Sequence, residues 1–214
     1  MVTYGMIIDL TKCQGCSLCL QACKDEFVGN DWSPYSKPQP ALGQFWINQK
    51  KVVRGQVPGK VKARSYSYLC NQCLNAPCIS AAQNGAVYRR SDGIIIIDPV
   101  LSAGQKQIVQ SCPYGVIYWN QDLNIPQKCT FCAHLLDNGW TQPRCVQACP
   151  TNALTFGQYS DLQPAIASAG AACCKRGHTG LTAAERWPRV YSHHGEEHAL
   201  PVHDDPALQH NALF

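Results

Sequence analysis

Fourteen cysteines are the side chains in this sequence best suited to chemistry, and twelve of them fall into spaced motifs. The first group is Cys13-x2-Cys16-x2-Cys19-x3-Cys23, and the second is Cys70-x2-Cys73-x4-Cys78. Cys112 stands alone, and Cys129-x2-Cys132-x12-Cys145-x3-Cys149 completes the set. Three cysteines within seven residues turn the chain back so that thiolates and backbone amides face one centre, which suits an iron–sulfur cubane. The fourth thiolate of such a run ligates a second cluster instead, and a proline customarily follows it. Pro113 and Pro150 follow Cys112 and Cys149, whereas Lys24 follows Cys23. Soft thiolates favour iron–sulfur chemistry. The last group alone would also serve a structural zinc, but the first run, with its distant exchange partner, would not. Adjacent Cys-x2-Cys pairs make a poor disulfide framework.

The exchange rule pairs the first group with the fourth and the second with Cys112. Cluster one then takes Cys13, Cys16, Cys19 and Cys149. Cluster two takes Cys129, Cys132, Cys145 and Cys23, and cluster three takes Cys70, Cys73, Cys78 and Cys112. An internal repeat locates a fourth ligand set. Ile7-Ile8-Asp9 precedes Cys13 as Ile96-Ile97-Asp98 precedes Ser102, and Cys112-Pro-Tyr-Gly-Val-Ile-Tyr echoes Ala82-Gln-Asn-Gly-Ala-Val-Tyr. The repeat-equivalent positions are Ala82, Ser102, Gln105 and Ile108, and none is cysteine. All four missing ligands belong to one site. That site is therefore expected to be vacated as a unit, with Ile108 filling part of it as core.

The elements that must position these ligands are short. Residues 4–9 and 94–98 run apolar at strand length. Helices are expected to start between the third and fourth cysteines of each motif and to end at Cys-Pro. Asn48 to Arg64 reads as a hairpin with paired Val52, Val53 and Val61 and a Pro58-Gly59 turn. Its Lys50, Lys51, Arg54, Lys60, Lys62 and Arg64, with no acid among them, suit a solvated face, the alternative being a dock for an acidic partner. Ala165 to Ala172 reads as a small-residue helix or linker. From His178 onward lie six of the seven histidines. Gly195 interrupts the helix that a metal site on His193, His194 and His198 would need, so a polar arm lying on a partner or on its own domain is the expectation. Cys173 and Cys174 read as small buried residues.

Composition sets outer limits. Of 214 residues, 15% are charged and 45% hydrophobic. A core is possible and wholesale disorder is not. The net charge of +4 is too mild for a nucleic-acid binder. No stretch of 18 apolar residues is present to span a membrane. The first twelve residues leave no room for an export signal, which predicts a cytoplasmic chain, export by a partner being left open. No catalytic triad, P-loop or GxGxxG motif suggests substrate chemistry on this chain.

The runs CxxCxxCxxxC, CNQCLNAPC, CPYGVIYW, CTFCAHLLDNG and RCVQACP resemble the iron–sulfur electron-transfer subunits of molybdopterin enzymes of the dimethyl-sulfoxide-reductase family. NGAVYRRSDGIIIIDP, CPYGVIYWN and QKCTFCAHLLD are more similar still to the small subunits of pyrogallol–phloroglucinol transhydroxylase and resorcinol hydroxylase. The resemblance covers roughly residues 1–160. It implies an α+β fold of two ferredoxin-like [4Fe–4S] units related by pseudo-two-fold symmetry, with a β-hairpin insertion and an extended C-terminal tail. Residues 1–30 and 125–160 would form the first unit, with clusters one and two. Residues 65–124 would form the second, with cluster three and an empty fourth site. Residues 31–64 would be the insertion, and 161–214 an extension packed on the partner. The resemblance also implies a heterodimer, whose large subunit would bind molybdenum bis-pterin guanine dinucleotide and hydroxylate or transhydroxylate a phenolic substrate. Other expectations from the sequence are a subunit of an anion-respiring reductase and a free-standing polyferredoxin shuttle.

Overall fold

The computed structural model describes residues 3–9, 12–168 and 190–193. In chain order the first half comprises β1 (Tyr4–Asp9), α1 (Leu18–Phe27), β2 (Ile47–Arg54), β3 (Lys62–Leu69), α2 (Pro77–Ala81), β4 (Val87–Arg89), β5 (Ile95–Ile97) and α3 (Gln107–Gln110). The second half comprises β6 (Tyr118–Asn120), β7 (Ile125–Gln127), α4 (Ala133–Asp137), α5 (Arg144–Gln147), β8 (Leu154–Gln158), α6 (Tyr159–Ser168) and β9 (Val190–His193). Most elements are shorter than a free-standing helix or strand could be. Tertiary packing, not propensity, must hold them.

β1 is a short apolar strand with Met6, Ile7 and Ile8 buried. It lies between two neighbours, antiparallel to β8 with Ile8 opposite Leu154, and parallel to β9 with Met6 opposite Val190. The β1–β8 pairing carries the first cysteine group to the end of the fourth, because Cys13 follows one strand and Cys149 precedes the other. β4 and β5 form a hairpin whose three isoleucines are all buried, and β6 and β7 form another. Two apolar clusters result. The larger gathers Met6, Phe27, Trp46, Ile94 and Phe131 with Cys23, Cys129, Cys132 and Cys145. The smaller gathers Val87, Ile95, Ile97, Ile108 and Ile117 with Cys78.

The turns recur around the molecule. Cys13 N–H donates to Asp9 O at 3.1 Å, and Ser102 N–H donates to Asp98 O at 3.0 Å. Asp9 N–H donates to Ala153 O, and Asp98 N–H donates to Ala86 O. The third residue of the Cys-x2-Cys turns that begin at Cys13, Cys70 and Cys129 has a left-handed backbone, at Gly15, Gln72 and Phe131, and so does Gly104 in the cysteine-free copy. The residue three beyond Ala82, Cys112 and Cys149 is left-handed as well, at Gly85, Gly115 and Asn152. Asparagine tolerates that conformation better than most side chains, which is why the copy at Cys149 manages without glycine.

Three expectations shift. The hairpin strands are Ile47–Arg54 and Lys62–Leu69, so Val52 and Val53 sit opposite Arg64 and Ala63, and Val61 falls in the loop. The second strand continues to Leu69 because Ser67 and Leu69 are buried against the cysteine turns. α1 begins at Leu18, before Cys19, so Cys23 lies inside the helix and not at its end. The helix near residue 165 starts earlier, at Tyr159, whose N–H donates to Thr3 O, and Leu162 is buried. Cys173, Cys174 and the histidines from His178 lie outside the described residues, apart from His193, whose backbone ends β9.

Candidate metal centre

The twelve motif cysteines, in the three sets expected from their spacing, are all free thiols. In the first, Cys19 occupies the opening turn of α1 and is buried, Cys13 and Cys149 are half-buried, and Cys16 is exposed. Burial pushes the Cys19 thiol up, and nearby Cys13 and Cys149 push it the same way, against the Ser67 hydroxyl 3.4 Å from its sulfur. At Cys149 burial also works against the thiolate, but the N–H groups of Leu154, Ala153 and Thr151 and the Thr151 hydroxyl outweigh it, and the thiol is lowered. The Ala153 N–H donates to Cys149 Sγ at 3.3 Å.

The second neighbourhood is fully interior. Cys23 projects from α1 toward Cys129 and Cys132, and Cys145 on α5 faces Cys132, Cys23 and Cys129. Burial is the leading cause that drives all four thiols up, Cys129 to about 12, and mutual repulsion adds to it for Cys23, Cys132 and Cys145. Phe131 N–H donates to Cys129 Sγ at 3.4 Å.

In the third, Cys70, Cys73, Cys78 and Cys112 all line one pocket partly open to solvent. Pro77, Ile95, Val116 and Ile117 complete its apolar wall. Burial pushes Cys73 up to about 12 and Cys78 to about 11. Cys112 is also raised by burial, against N–H groups of Val116, Tyr114 and Gly115 aimed at its sulfur.

These surroundings suit a cationic, thiolate-bound group. Buried thiols that repel one another as anions need a positive core to ionise, and coordination supplies it by deprotonating them outright. Four sulfurs around a cavity, with amides aimed at sulfur, fit a cubane's donor set. Among the described residues no three His, Cys, Asp or Glu side chains converge tightly enough to grip a single ion.

The positions equivalent to a fourth ligand set also meet. Ile108 and Ser102 are fully buried, and Ala82 packs with Ile108 in the smaller apolar cluster. In this corner the buried Ser102 Oγ has no hydrogen-bond partner among the described residues, whereas Gln105 is well bonded. Its Oε1 accepts from Gln83 N–H at 2.8 Å, and its Nε2 donates to Leu101 O at 2.7 Å and to Gln83 O at 3.3 Å.

Two features were missed in the sequence. His134 is buried, stacks on Trp32 and bonds Glu26 through Nε2, while Arg144 pairs with the same carboxylate. Burial holds His134 below its usual range despite Glu26. A lone histidine just beyond the Cys129–Cys132 turn was the available signal. The second is a polar junction at Gln72 and Lys128, both buried between the second and third neighbourhoods. A non-glycine residue in the left-handed position of a Cys-x2-Cys turn, and a lysine directly before another such turn, were its signals.

A family model for the 4Fe–4S dicluster domain matches residues 61–159. A polysulfide reductase chain of Wolinella succinogenes is 35% identical over 158 residues, covering 74% of this chain and 78% of that protein. This chain belongs to the iron–sulfur subunits of the dimethyl-sulfoxide-reductase family of molybdopterin oxidoreductases. Pyrogallol hydroxytransferase small subunit of Pelobacter acidigallici is 44% identical over 153 residues, 70% of this chain. A tetrathionate reductase subunit of Salmonella typhimurium is 34% identical over 165 residues, 77% of this chain. The matches span only 54% and 62% of those two relatives. The fold is accordingly a ferredoxin-like 4Fe–4S dicluster domain of mixed helices and strands, with an electron-transfer role. Among the described residues no helix is long and apolar enough to cross a membrane.

Proposed function

We propose that this chain holds three [4Fe–4S] clusters and passes electrons to or from a molybdenum bis-pterin partner that hydroxylates or transhydroxylates phenolic aromatics. Cluster one is held by Cys13, Cys16, Cys19 and Cys149, cluster two by Cys23, Cys129, Cys132 and Cys145, and cluster three by Cys70, Cys73, Cys78 and Cys112. The observation that carries the ligand sets is that Cys19, Cys73 and Cys145 have their charged neighbours mainly within their own four, and that Cys70, Cys73, Cys78 and Cys112 share one pocket. Against a fourth cluster stands the packing of Ser102, Gln105 and Ile108 in its place. The matching turns at Asp9 and Asp98 support two related units, residues 1–30 with 125–160 and residues 65–124, the latter with its fourth site filled by side chains.

Each cluster supplies a one-electron store whose potential follows its charge, hydrogen bonds to sulfur and burial. The chain's own part is to fix the sulfurs, aim amides at them and exclude water. The N–H groups around Cys112 and Cys149 lower the cost of negative charge at those sulfurs. The phenolic assignment rests on the likeness to the pyrogallol hydroxytransferase subunit. An anion-reducing partner is the second reading, favoured by the polysulfide reductase relative and its fuller coverage. Affinity purification from the native host, followed by metal analysis and assay with resorcinol, pyrogallol, tetrathionate and polysulfide, tests it. A molybdenum-containing complex active on a phenol is expected. A complex active only on the sulfur anions would overturn the phenolic assignment, and a chain isolated alone would favour a shuttle.

A further inference from the structure

Lys128 has no role in holding a cluster, yet it is almost fully buried. Its Nζ donates to Ile95 O at 2.5 Å and to Cys129 O at 3.0 Å. Gln72 closes the arrangement, with Nε2 donating to Cys129 O at 3.1 Å and Oε1 accepting from Ile95 N–H at 2.8 Å. Four hydrogen bonds thus tie the loop of Cys70 and Cys73 to Cys129 through strand β5. Among the described residues Lys128 pairs with no carboxylate. The negative groups its charge meets are Cys78, in the third neighbourhood, and Cys129, in the second. Cys129 in turn has Cys70 as its leading charged neighbour. The lysine therefore sits at the seam between two thiol sets.

Burying an ammonium ion is costly unless negative charge compensates it. Two thiolate-bound clusters would supply that charge, and each becomes more negative on reduction. We infer that Lys128 is a positioning residue for electron transfer: a fixed cation, clamped by Gln72, that selectively raises the reduction potentials of clusters two and three relative to cluster one. This rests on the ligand sets proposed above. The side chain of Gln72 also gives the two ligand loops a hydrogen-bonded link from the Cys70 turn to the Cys129 main chain.

The test is an EPR-monitored redox titration of the cluster-loaded complex. It compares the wild type with Lys128→Met, Lys128→Arg and Gln72→Glu, and uses Cys112→Ala to identify the signal of cluster three. Lys128→Met is expected to disfavour reduction of two of the three centres by about tenfold or more, 59 mV per tenfold for one electron, and to leave the third in place. Lys128→Arg should restore the wild-type values. Gln72→Glu adds negative charge at the same seam and should lower the same two potentials, so it carries the test if the methionine variant does not assemble. Three potentials moving together, or none moving, overturns the inference while leaving the cluster count intact. A wild-type titration with other than three centres overturns the ligand sets and this inference with them.

Discussion

Replacing Gln105 with alanine tests whether side chains have taken over the structural task of a fourth cluster. The amide joins the segment after Asp98 to the end of α2 through Gln83 and closes its own turn through Leu101. A net hydrogen bond is worth about 1 kcal/mol, and leaving the partly buried Gln83 N–H unpaired costs about 2 kcal/mol. The longest bond, at 3.3 Å, adds little. Together these give a loss of about 3 kcal/mol. For a chain of this size that corresponds to a fall in Tm of about 6–12 °C. Anaerobic thermal melts followed by near-ultraviolet circular dichroism would read it, with iron measured on the same samples. Iron content should not change, because no proposed ligand is touched. A shift under about 2 °C, below the range expected for even 1 kcal/mol, would show that Gln105 does not carry this corner. A loss of four iron atoms would show that the corner holds a cluster, and the reasoning would fail.

Other substitutions probe the rest of the site. Cys112→Ala, in the wall of the pocket shared with Cys70, Cys73 and Cys78, should remove or convert one cluster and leave two EPR signals intact; loss of all three would contradict the pairing. Removing iron with a chelator under reducing conditions should unfold or aggregate the chain, because cluster ligation replaces much of the core; native-like circular dichroism in a monomeric apo-protein would refute this. Asp137 accepts hydrogen bonds from Arg90, whose guanidinium holds its carboxyl below the usual range. Its stabilising contribution is therefore complete above the ordinary carboxylate pKa of ~3.9 and is lost as pH falls through the lowered value. Asp137→Asn should lower Tm modestly and equally at pH 6 and pH 8, both above the ordinary carboxylate range, as paired melts would show.

The sequence was most informative where chemistry demands particular spacings. Cysteine positions, the Asp9 and Asp98 turns and the glycine three residues beyond Cys112 are local features, and local geometry repeats faithfully. Val61 was misassigned to a strand because apolar residues in a hairpin do not say where its loop begins; the buried Ser67 and Leu69 do. Lys128 and Gln72 left only faint signals, for a different reason. Each looks like an ordinary polar residue beside a cysteine, and only the packing of β5 between two ligand turns makes one a buried cation and the other its clamp. The Glu26, Trp32 and His134 group is similarly non-local, with Glu26 and His134 separated by 108 positions. Periodicity and spacing carry no signal across such a gap.

The chain, as proposed, has three ligand sets of four cysteines and a fourth site filled by side chains. Iron and acid-labile sulfide counted per chain in the anaerobically purified protein, with Mössbauer spectra to identify the clusters, test this most directly. About twelve iron and twelve sulfide atoms, all in cubane-type clusters, are expected from three [4Fe–4S] centres. A count near sixteen or eight, or zinc in place of iron, would contradict it.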